Sequence, residues 1–509
     1  MTAYEDHTDG VDGADGADAV IVGAGPVGMF TALLLGLRGR RVVVVERRPR
    51  PYGLPRAVAL DQEACRLLAG AGLGERLAAI IEEARTYEWR TADGRPLLRF
   101  AWADGAPGGW PQTSMFAQPD LEDLLAERLA RLPSVTVLRG WEADVPDVPE
   151  EAGEVRVTVC DGAGRSAELH AAYLVGCDGA GSAVRRAMGV PVTDLGFTHD
   201  WLIVDVVPPA DRTWDPVNLQ LCDPARPVTA VSGGPGRRRF EFMRLPGESV
   251  AELVGPGAVW RLLAPWGLTP AGTRVERHAL YTFRAAVADR WRRGRVLLAG
   301  DAAHVMPPFA GQGLCTGLRD AANLAWKLEL VLAGAAPDAL LDTYEEERAV
   351  HARATVTASV DLGRIICVQD PRAAAERDEE MGAAHGGTLV DTLPAQPLTA
   401  GLFRPGPGPG GTLAPQGPAD PQPPGFTLVT TGDPAGLLGA DSLAYCRSAG
   451  IGTVRVPRPP YADLFTPGDR QVALVRPDLY VYGAAAEDGA DALVAELRAR
   501  LTGCAVLPR

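Results

Sequence analysis

The chain has 509 residues, 46% hydrophobic and 22% charged, with a formal net charge of −14. That length exceeds one hydrophobic core and predicts two or three domains. The acidic balance speaks against a nucleic-acid partner, and no apolar run reaches the ~18 residues of a membrane span.

Residues 1–18, "MTAYEDHTDGVDGADGAD", lack the basic start and apolar core of a signal peptide and read as a disordered leader. From 19 to 49 the pattern is strand, turn, helix, strand. "AVIVGAG" is a buried parallel-type strand, "PVGMFTALLLGLRG" a helix and "RRVVVVER" a second strand. Helical patterns follow at 61–84 and 119–132, and "VRVTVC" and "AAYLVGCDG" read as strands. Between 196 and 285 short alternating runs such as "WLIVDVV", "PVNLQLC", "RRRFEFMRL" and "RHALYTF" predict an inserted antiparallel sheet. The parallel type returns at "GRVLLAGD", and a long helical region spans 314–367. Residues 371–425 are rich in Pro and Gly and read as a linker. Over 426–509 the strands "FTLVTT" and "GTVRVP", a hairpin around Arg476-Pro477-Asp478 and the helix "ADALVAELRARL" form a small α/β unit.

Eight cysteines lie at 65, 160, 177, 222, 315, 367, 446 and 504. None forms C-x-x-C or pairs with histidine at zinc-finger spacing. The expectation is a reduced, cytoplasmic chain without a metal site.

Gly23-x-Gly25-x-x-Gly28 sits between a predicted strand and a predicted helix. Gly23 permits the tight turn, Gly25 lets the backbone approach a pyrophosphate, and Gly28 lets helix and strand pack closely. Pro26 and Val27 open the helix, whose N-terminus offers free N–H groups to phosphate. Glu46 ends the second strand, where a carboxylate can bind a ribose hydroxyl. The motif alone does not choose between FAD and NAD(P).

Two further segments follow apolar strands and carry an Asp: "YLVGCDGAGSAVRR" (173–186) with Asp178, and "GDAAHVMPPFAGQG" (300–313) with Asp301. Together with the glycine turn they resemble the class A FAD-dependent aromatic hydroxylases of the p-hydroxybenzoate hydroxylase fold. "GLPRAVALDQEACRLL", "FAQPDLEDLL", "DLGFTHDWLIVDV" and "GQGLCTGLRDAANLAWKL" are similar to the branch that includes 3-(3-hydroxyphenyl)propionate hydroxylase. The resemblance implies a glutathione-reductase-type Rossmann-like FAD domain (19–195 and 286–370) with an inserted substrate sheet (196–285), a long helix and a thioredoxin-like C-terminal domain (426–509). It implies FAD contacts at Gly25, Glu46, Arg47, Arg56 and Gln118, at Gly300 and Asp301, and along Gly311, Gly313, Leu314 and Cys315. Asp178 would shape the NAD(P)H path. Cys315 departs from the family's usual residue, but a backbone contact there is indifferent to its side chain. Cys446 and Cys504 read as buried apolar residues, not a redox pair.

The implied reaction uses NADPH or NADH and O2 to hydroxylate an aromatic ring through a flavin C4a-hydroperoxide. The cofactor carries the hard chemistry, which accounts for the lack of a Ser/His/Asp or metal-ligand pattern. Pro307 and Pro308 would set the wall beside the flavin ring. His304 is a candidate proton shuttle whose plainer reading is a packed, hydrogen-bonded histidine. Gln220, Phe240, Phe242 and Met243 are candidate substrate contacts, though strand alternation sends half of such positions away from the site. Another flavoenzyme of this fold, a reductase or halogenase, and a non-catalytic FAD or aromatic-ligand binding protein stay open as alternatives. The only lysine, Lys327, lies inside a helical run, an awkward place for a halogenase lysine. The expected partner is a small aromatic molecule, with a homodimer as the candidate assembly.

Overall fold

A computed structural model describes residues 16–51, 53, 56–102, 109–145, 153–385, 389–390, 396–406, 408–417, 420, 425–456, 461–465 and 470–503. Most of the expected leader, part of the expected linker and Cys504 lie outside them.

The first sheet is built on strands that are apolar on both faces. Ala17–Val22, Val42–Glu46, Val135–Arg139, Ser166–Gly176 and Val296–Leu298 pair in parallel. Val42–Val45 and Val296–Leu298 are buried throughout, as a sheet covered on both sides requires. Ala17–Val22 lies between Val42–Glu46 and Ser166–Gly176. Its carboxyl end is thus a switch point, where open α/β sheets leave a crevice for ligands. The helices Pro26–Gly36 and Gly313–Leu332 pack against each other there. Val27 bridges them, with its Cγ2 2.6 Å from where a Cβ on Gly317 would stand.

The second sheet is wider than the sequence suggests. In order, its strands are His304–Val305, Arg274–Ala288, Val192–Val207, Arg238–Met243, Val228–Ser232, Leu219–Leu221, Thr86–Arg90, Pro96–Ala101 and Leu389–Val390. Thr86–Ala101 comes from the segment assigned to the FAD domain. It joins through a parallel pairing of Thr86–Arg90 with Leu219–Leu221. The expected linker is also corrected at its start: Pro371–His385 is a helix, and Leu389–Val390 adds an edge strand. One long ribbon, Val192–Val207 on Arg274–Ala288, carries the sheet back to the first domain. The back of this sheet is covered by the short helices Val250–Leu253 and Pro256–Leu263, which enclose a separate apolar cluster.

The predicted helical region 314–367 is two helices, Gly313–Leu332 and Asp342–Ile366. The C-terminal unit is a four-stranded mixed sheet in the order Gly452–Arg455, Thr427–Thr430, Arg470–Val475, Val481–Ala486, closed by Ala490–Leu501. It docks through a buried ionic network. Arg476, in the hairpin turn, donates to Glu347 Oε1 and Oε2 at 3.0 and 2.6 Å and to Asp478 at 2.6 Å. Lys327 lies 2.8 Å from Glu347, and Asn323 donates to both Glu347 and Asp478. Two cations balance two anions, so the cluster is formally neutral. Burial opposes the charged form of Glu347, but Arg476 and Lys327 outweigh it and bring its carboxyl down to about 2. Burial also pulls Lys327 down to about 8 despite Glu347. Both values fall: for Lys327 burial, helped by the repulsion of Arg476, outweighs Glu347, whereas for Glu347 the two cations outweigh burial.

Candidate active site

The glycine turn takes the shape its spacing predicts. Gly23 has φ +105°, and a Cβ there would collide with the Cys177 carbonyl. Gly28 packs its Cα face on the Gly23 carbonyl, again leaving no room for a Cβ. Gly25 is different: a Cβ on it would meet nothing within 4 Å. Its backbone faces open space, as a turn that admits a pyrophosphate must. The helix Pro26–Gly36 starts beside it, with Pro26 in the first turn and no side chain capping its N–H groups. Glu46 is held at the crevice edge. Its Oε2 accepts from Ala24 N and its Oε1 from Arg48 N, both at 2.9 Å. These residues fit the phosphates and ribose of a dinucleotide.

The loop 300–313 leaves the first sheet, touches the second, and enters a helix. Gly300 has φ +61° and lies against Val27. Its N–H donates to Asp320 at 3.1 Å. His304–Val305 then pairs with Ala286–Val287. Ser359 Oγ donates to the Pro307 carbonyl at 2.6 Å, which fixes the proline pair. Pro308–Ala310 form one 3-10 turn, and Gly311 at φ +65° releases the chain into Gly313–Leu332. That helix has no acidic residue in its first turn, so its positive dipole end is unopposed there. Such an end favours a nearby anion by ~0.3–2 kcal/mol. Leu314 is half-buried behind Gly313. Cys315 points away from the crevice, its Sγ accepting from Asp61 N at 3.4 Å. Arg319 joins the same helix to Asp61 and Glu63.

Around the crevice, Asp301 and Arg56 are half-exposed and 3.8 Å apart. Gln118 is buried; its Oε1 accepts from Ala57 N at 3.0 Å and its Nε2 donates to Glu122 at 2.6 Å. It therefore shapes the Arg56 segment from behind. Arg47 is exposed beyond Glu46. Asp178 caps the turn after it, accepting from Ser182 Oγ, Ala183 N and Val184 N. Arg185 in the same motif donates to the Ala302 carbonyl at 2.6 Å. This brace couples the second motif to the third.

His304 does not face the crevice. It is buried, stacked on Trp291 with ring centroids 5.3 Å apart, and its Nε2 lies 2.7 Å from Asp320 Oδ2. Arg348 donates to the other Asp320 oxygen. This is a packed histidine in hydrogen-bond reach of Asp320, placed to hold the loop from behind.

The faces of the second sheet divide the substrate candidates. Phe240 and Phe242 turn back into the cluster with Leu202, Val204 and the covering helices, so they leave the candidate set. Gln220 and Met243 lie on the other face. That front face meets the loop: Phe309, next to Pro308, contacts Trp201, Phe283 and Phe197 edge-on with centroids 5.5–6.0 Å apart. Gln220 Oε1 accepts from Tyr87 and Thr229 at 3.2 and 2.7 Å. On the same face Arg239 grips Asp205 with two hydrogen bonds, at 2.7 and 2.9 Å, and donates to the Arg56 carbonyl.

Sequence reasoning missed Tyr87, Trp201, Phe283, Arg239 and Glu241. Its one available signal was "RRRFEF", where Arg239 and Glu241 stand two apart in an apolar strand and so share a face.

The FAD binding domain family model matches residues 16–359. A probable NADH-specific resorcinol 4-hydroxylase from Rhodococcus jostii (strain RHA1) is 41% identical over 384 residues, 75% of this chain and 72% of that protein. A 3-(3-hydroxy-phenyl)propionate/3-hydroxycinnamic acid hydroxylase from Mycobacterium sp. (strain KMS) is 39% identical, covering 81% of this chain and 70% of that one. Among solved structures, the anhydrotetracycline hydroxylase OxyS from Streptomyces rimosus superposes with a TM-score of 0.73 at 26% identity, covering 96% of this chain and 99% of that one. With a model matched over most of its length and relatives this similar, the chain belongs to the FAD-binding-domain family of flavoproteins.

Proposed function

We propose that this chain is an FAD-dependent monooxygenase that hydroxylates a phenolic or related electron-rich aromatic ring, consuming NADH or NADPH and O2. One observation carries the reading: the aromatic front of the second sheet closes directly on the glycine-rich loop, through Phe309 against Trp201 and Phe283. Bound FAD supplies the redox and oxygen chemistry. The protein's tasks are then to hold, orient and keep dry. The Gly23–Gly28 turn, Glu46 and Arg56 would hold the ADP half, and Asp301 the ribityl chain. The first-turn N–H groups of Gly313–Leu332 would face the ring's anionic edge. Pro307 and Pro308, which have no N–H, would direct the loop beside the ring. The sheet face would seat the aromatic substrate and exclude water.

The names of the relatives support an aromatic ring bearing a hydroxyl, and that of OxyS extends the range to larger natural products. Lys327 speaks against a halogenase, since it is fully buried and ion-paired with Glu347. The C-terminal unit is read as a thioredoxin-like appendage with a structural role. Its mixed four-stranded sheet and its buried Cys446 support that. A cytoplasmic location and a homodimer belong to the same reading. No helix among the described residues is long and apolar enough to cross a membrane.

The test is a panel of phenols on the FAD-loaded enzyme, scored by the rate of flavin reduction and by product mass. A phenol that accelerates reduction and gains one oxygen atom is the expected result. Failure of every phenol to accelerate reduction would overturn the proposal.

A further inference from the structure

Glu241 stands in the middle of the front face. It pairs with Ile203 on one side and Thr229 on the other, and Thr229 pairs with Gln220. Its residue is 5% exposed. The neighbours that could donate to it are already engaged. Thr229 Oγ and Tyr87 OH both donate to Gln220. Arg239, the nearest cation at 3.8 Å, directs its donors to Asp205 and the Arg56 carbonyl. Among the described residues no hydrogen-bond donor reaches the Glu241 carboxyl. Buried polar groups are nearly always partnered, so a carboxyl this buried, ion-paired with Arg239 but without a hydrogen bond, has room for a donor from a ligand.

We infer that Glu241 receives a hydroxyl of the substrate, so that the site takes a neutral phenol or diphenol in preference to an aromatic carboxylate; this rests on the hydroxylase reading above. The charge inventory supports it. Arg239 and Arg277 both bind Asp205, and an ionised Glu241 brings these four groups to zero net charge. A ligand carboxylate would add an unbalanced anion beside Glu241, in a wall where both guanidinium groups are already held. An ammonium ligand would unbalance it the other way. The titratable groups that act on Glu241 are Arg239 on its own strand and Asp205 on the next, with Tyr87 across the wall; Arg277 binds Asp205 and Tyr281 acts on Arg239. Burial pushes the Glu241 carboxyl up to about 7 against the pull of Arg239, so near neutral pH it is only partly ionised, and a hydroxyl donated by the ligand would favour its charged form.

The experiment uses the FAD-loaded enzyme. Resorcinol, 3-hydroxybenzoate and 3-(3-hydroxyphenyl)propionate are titrated while the visible flavin spectrum is followed, and kcat, KM and product mass are then measured. Resorcinol is expected to bind ~10-fold or more tightly than either carboxylate, the scale of one hydrogen bond to a charged group. E241L should weaken resorcinol binding by ~10-fold or more, raising KM more than it lowers kcat. The near-isosteric E241Q guards against a folding defect. It should keep most resorcinol affinity while losing discrimination against the carboxylates. FAD content and unfolding midpoint show that each variant is folded. Tighter binding of the carboxylates by the wild type, or unchanged resorcinol affinity in E241L, overturns the assignment of Glu241. Oxygen insertion with carboxylates preferred sinks that assignment alone. Selective resorcinol binding without oxygen insertion sinks the hydroxylase reading and spares it.

Discussion

Asp301→Ala separates cofactor binding from folding, because the structure gives Asp301 so little else to do. Among the described residues its one ion-pair partner is Arg56 at 3.8 Å, and the two side chains are 46% and 43% exposed. A solvent-screened pair of that kind contributes ~0–1 kcal/mol. The apoprotein should therefore unfold within a few degrees of wild type. If Asp301 grips the ribityl chain, a hydrogen bond to a charged group is lost, worth ~1.5–3 kcal/mol. FAD affinity should then fall ~10- to 150-fold. The assay is apoprotein prepared by stripping the flavin, titrated with FAD and followed by flavin fluorescence, with melting of the apoprotein beside it. Asp301→Asn keeps the shape and an acceptor oxygen, and should lose less. An unchanged FAD Kd in Asp301→Ala would refute the ribityl role. A large apoprotein destabilisation would refute the premise that the side chain is free for the cofactor.

Four further outcomes are expected. Arg476→Met leaves Glu347 and Asp478 buried with one cation fewer, a loss of ~3–5 kcal/mol; calorimetry should show the C-terminal unit melting ahead of the rest, and a single unshifted transition would contradict it. Glu347 is depressed from the ordinary 4.5 to about 2, so its stabilisation is complete above pH 4.5 and disappears as pH falls through about 2. That separation is worth about 3 kcal/mol, and Glu347→Gln should flatten the acid limb of a stability–pH curve. Gly23→Ala forces a Cβ into the Cys177 backbone at positive φ, so FAD retention on a sizing column should collapse; full retention would mean the turn is not the dinucleotide site. His304→Ala removes a buried partner of Asp320 and should lower the melting temperature, with kcat of the surviving holoenzyme within ~3-fold, since loss of one buried charged hydrogen bond acts here on stability. A hundredfold fall in kcat would instead restore the proton-shuttle role.

The legible parts were those written in local spacing. The glycine turn, Glu46 at the end of the second strand and the glycine-rich loop all depend on backbone shapes that a few adjacent residues dictate, so they stand in one short string each. The helix Gly313–Leu332 was readable from its period, and the hairpin at Arg476–Asp478 from its turn residues. Strand faces were not readable. Every residue from Arg238 to Met243 is buried, so no polar–apolar alternation marks which of Phe240 or Glu241 turns to the site. Only the helices packed behind the sheet settle that. The linker reading, drawn from the Pro/Gly-dense stretch 402–425, extends too far back over the helix Pro371–His385, which holds one Pro and one Gly and docks against the second sheet through contacts such as Arg377 to the Cys222 carbonyl.

By itself the sequence determined the glycine turn and the two further motifs, because each is encoded by neighbours in the chain, and the family resemblance they carry pointed to the class of chemistry. Tertiary structure alone decided which distant segments meet. Thr86–Ala101 joins the second sheet through Leu219–Leu221, Arg239 meets Asp205, and Arg476 reaches Glu347 across 129 residues. Such pairings are set by register and by the burial of charge, and no local window of the chain contains both partners.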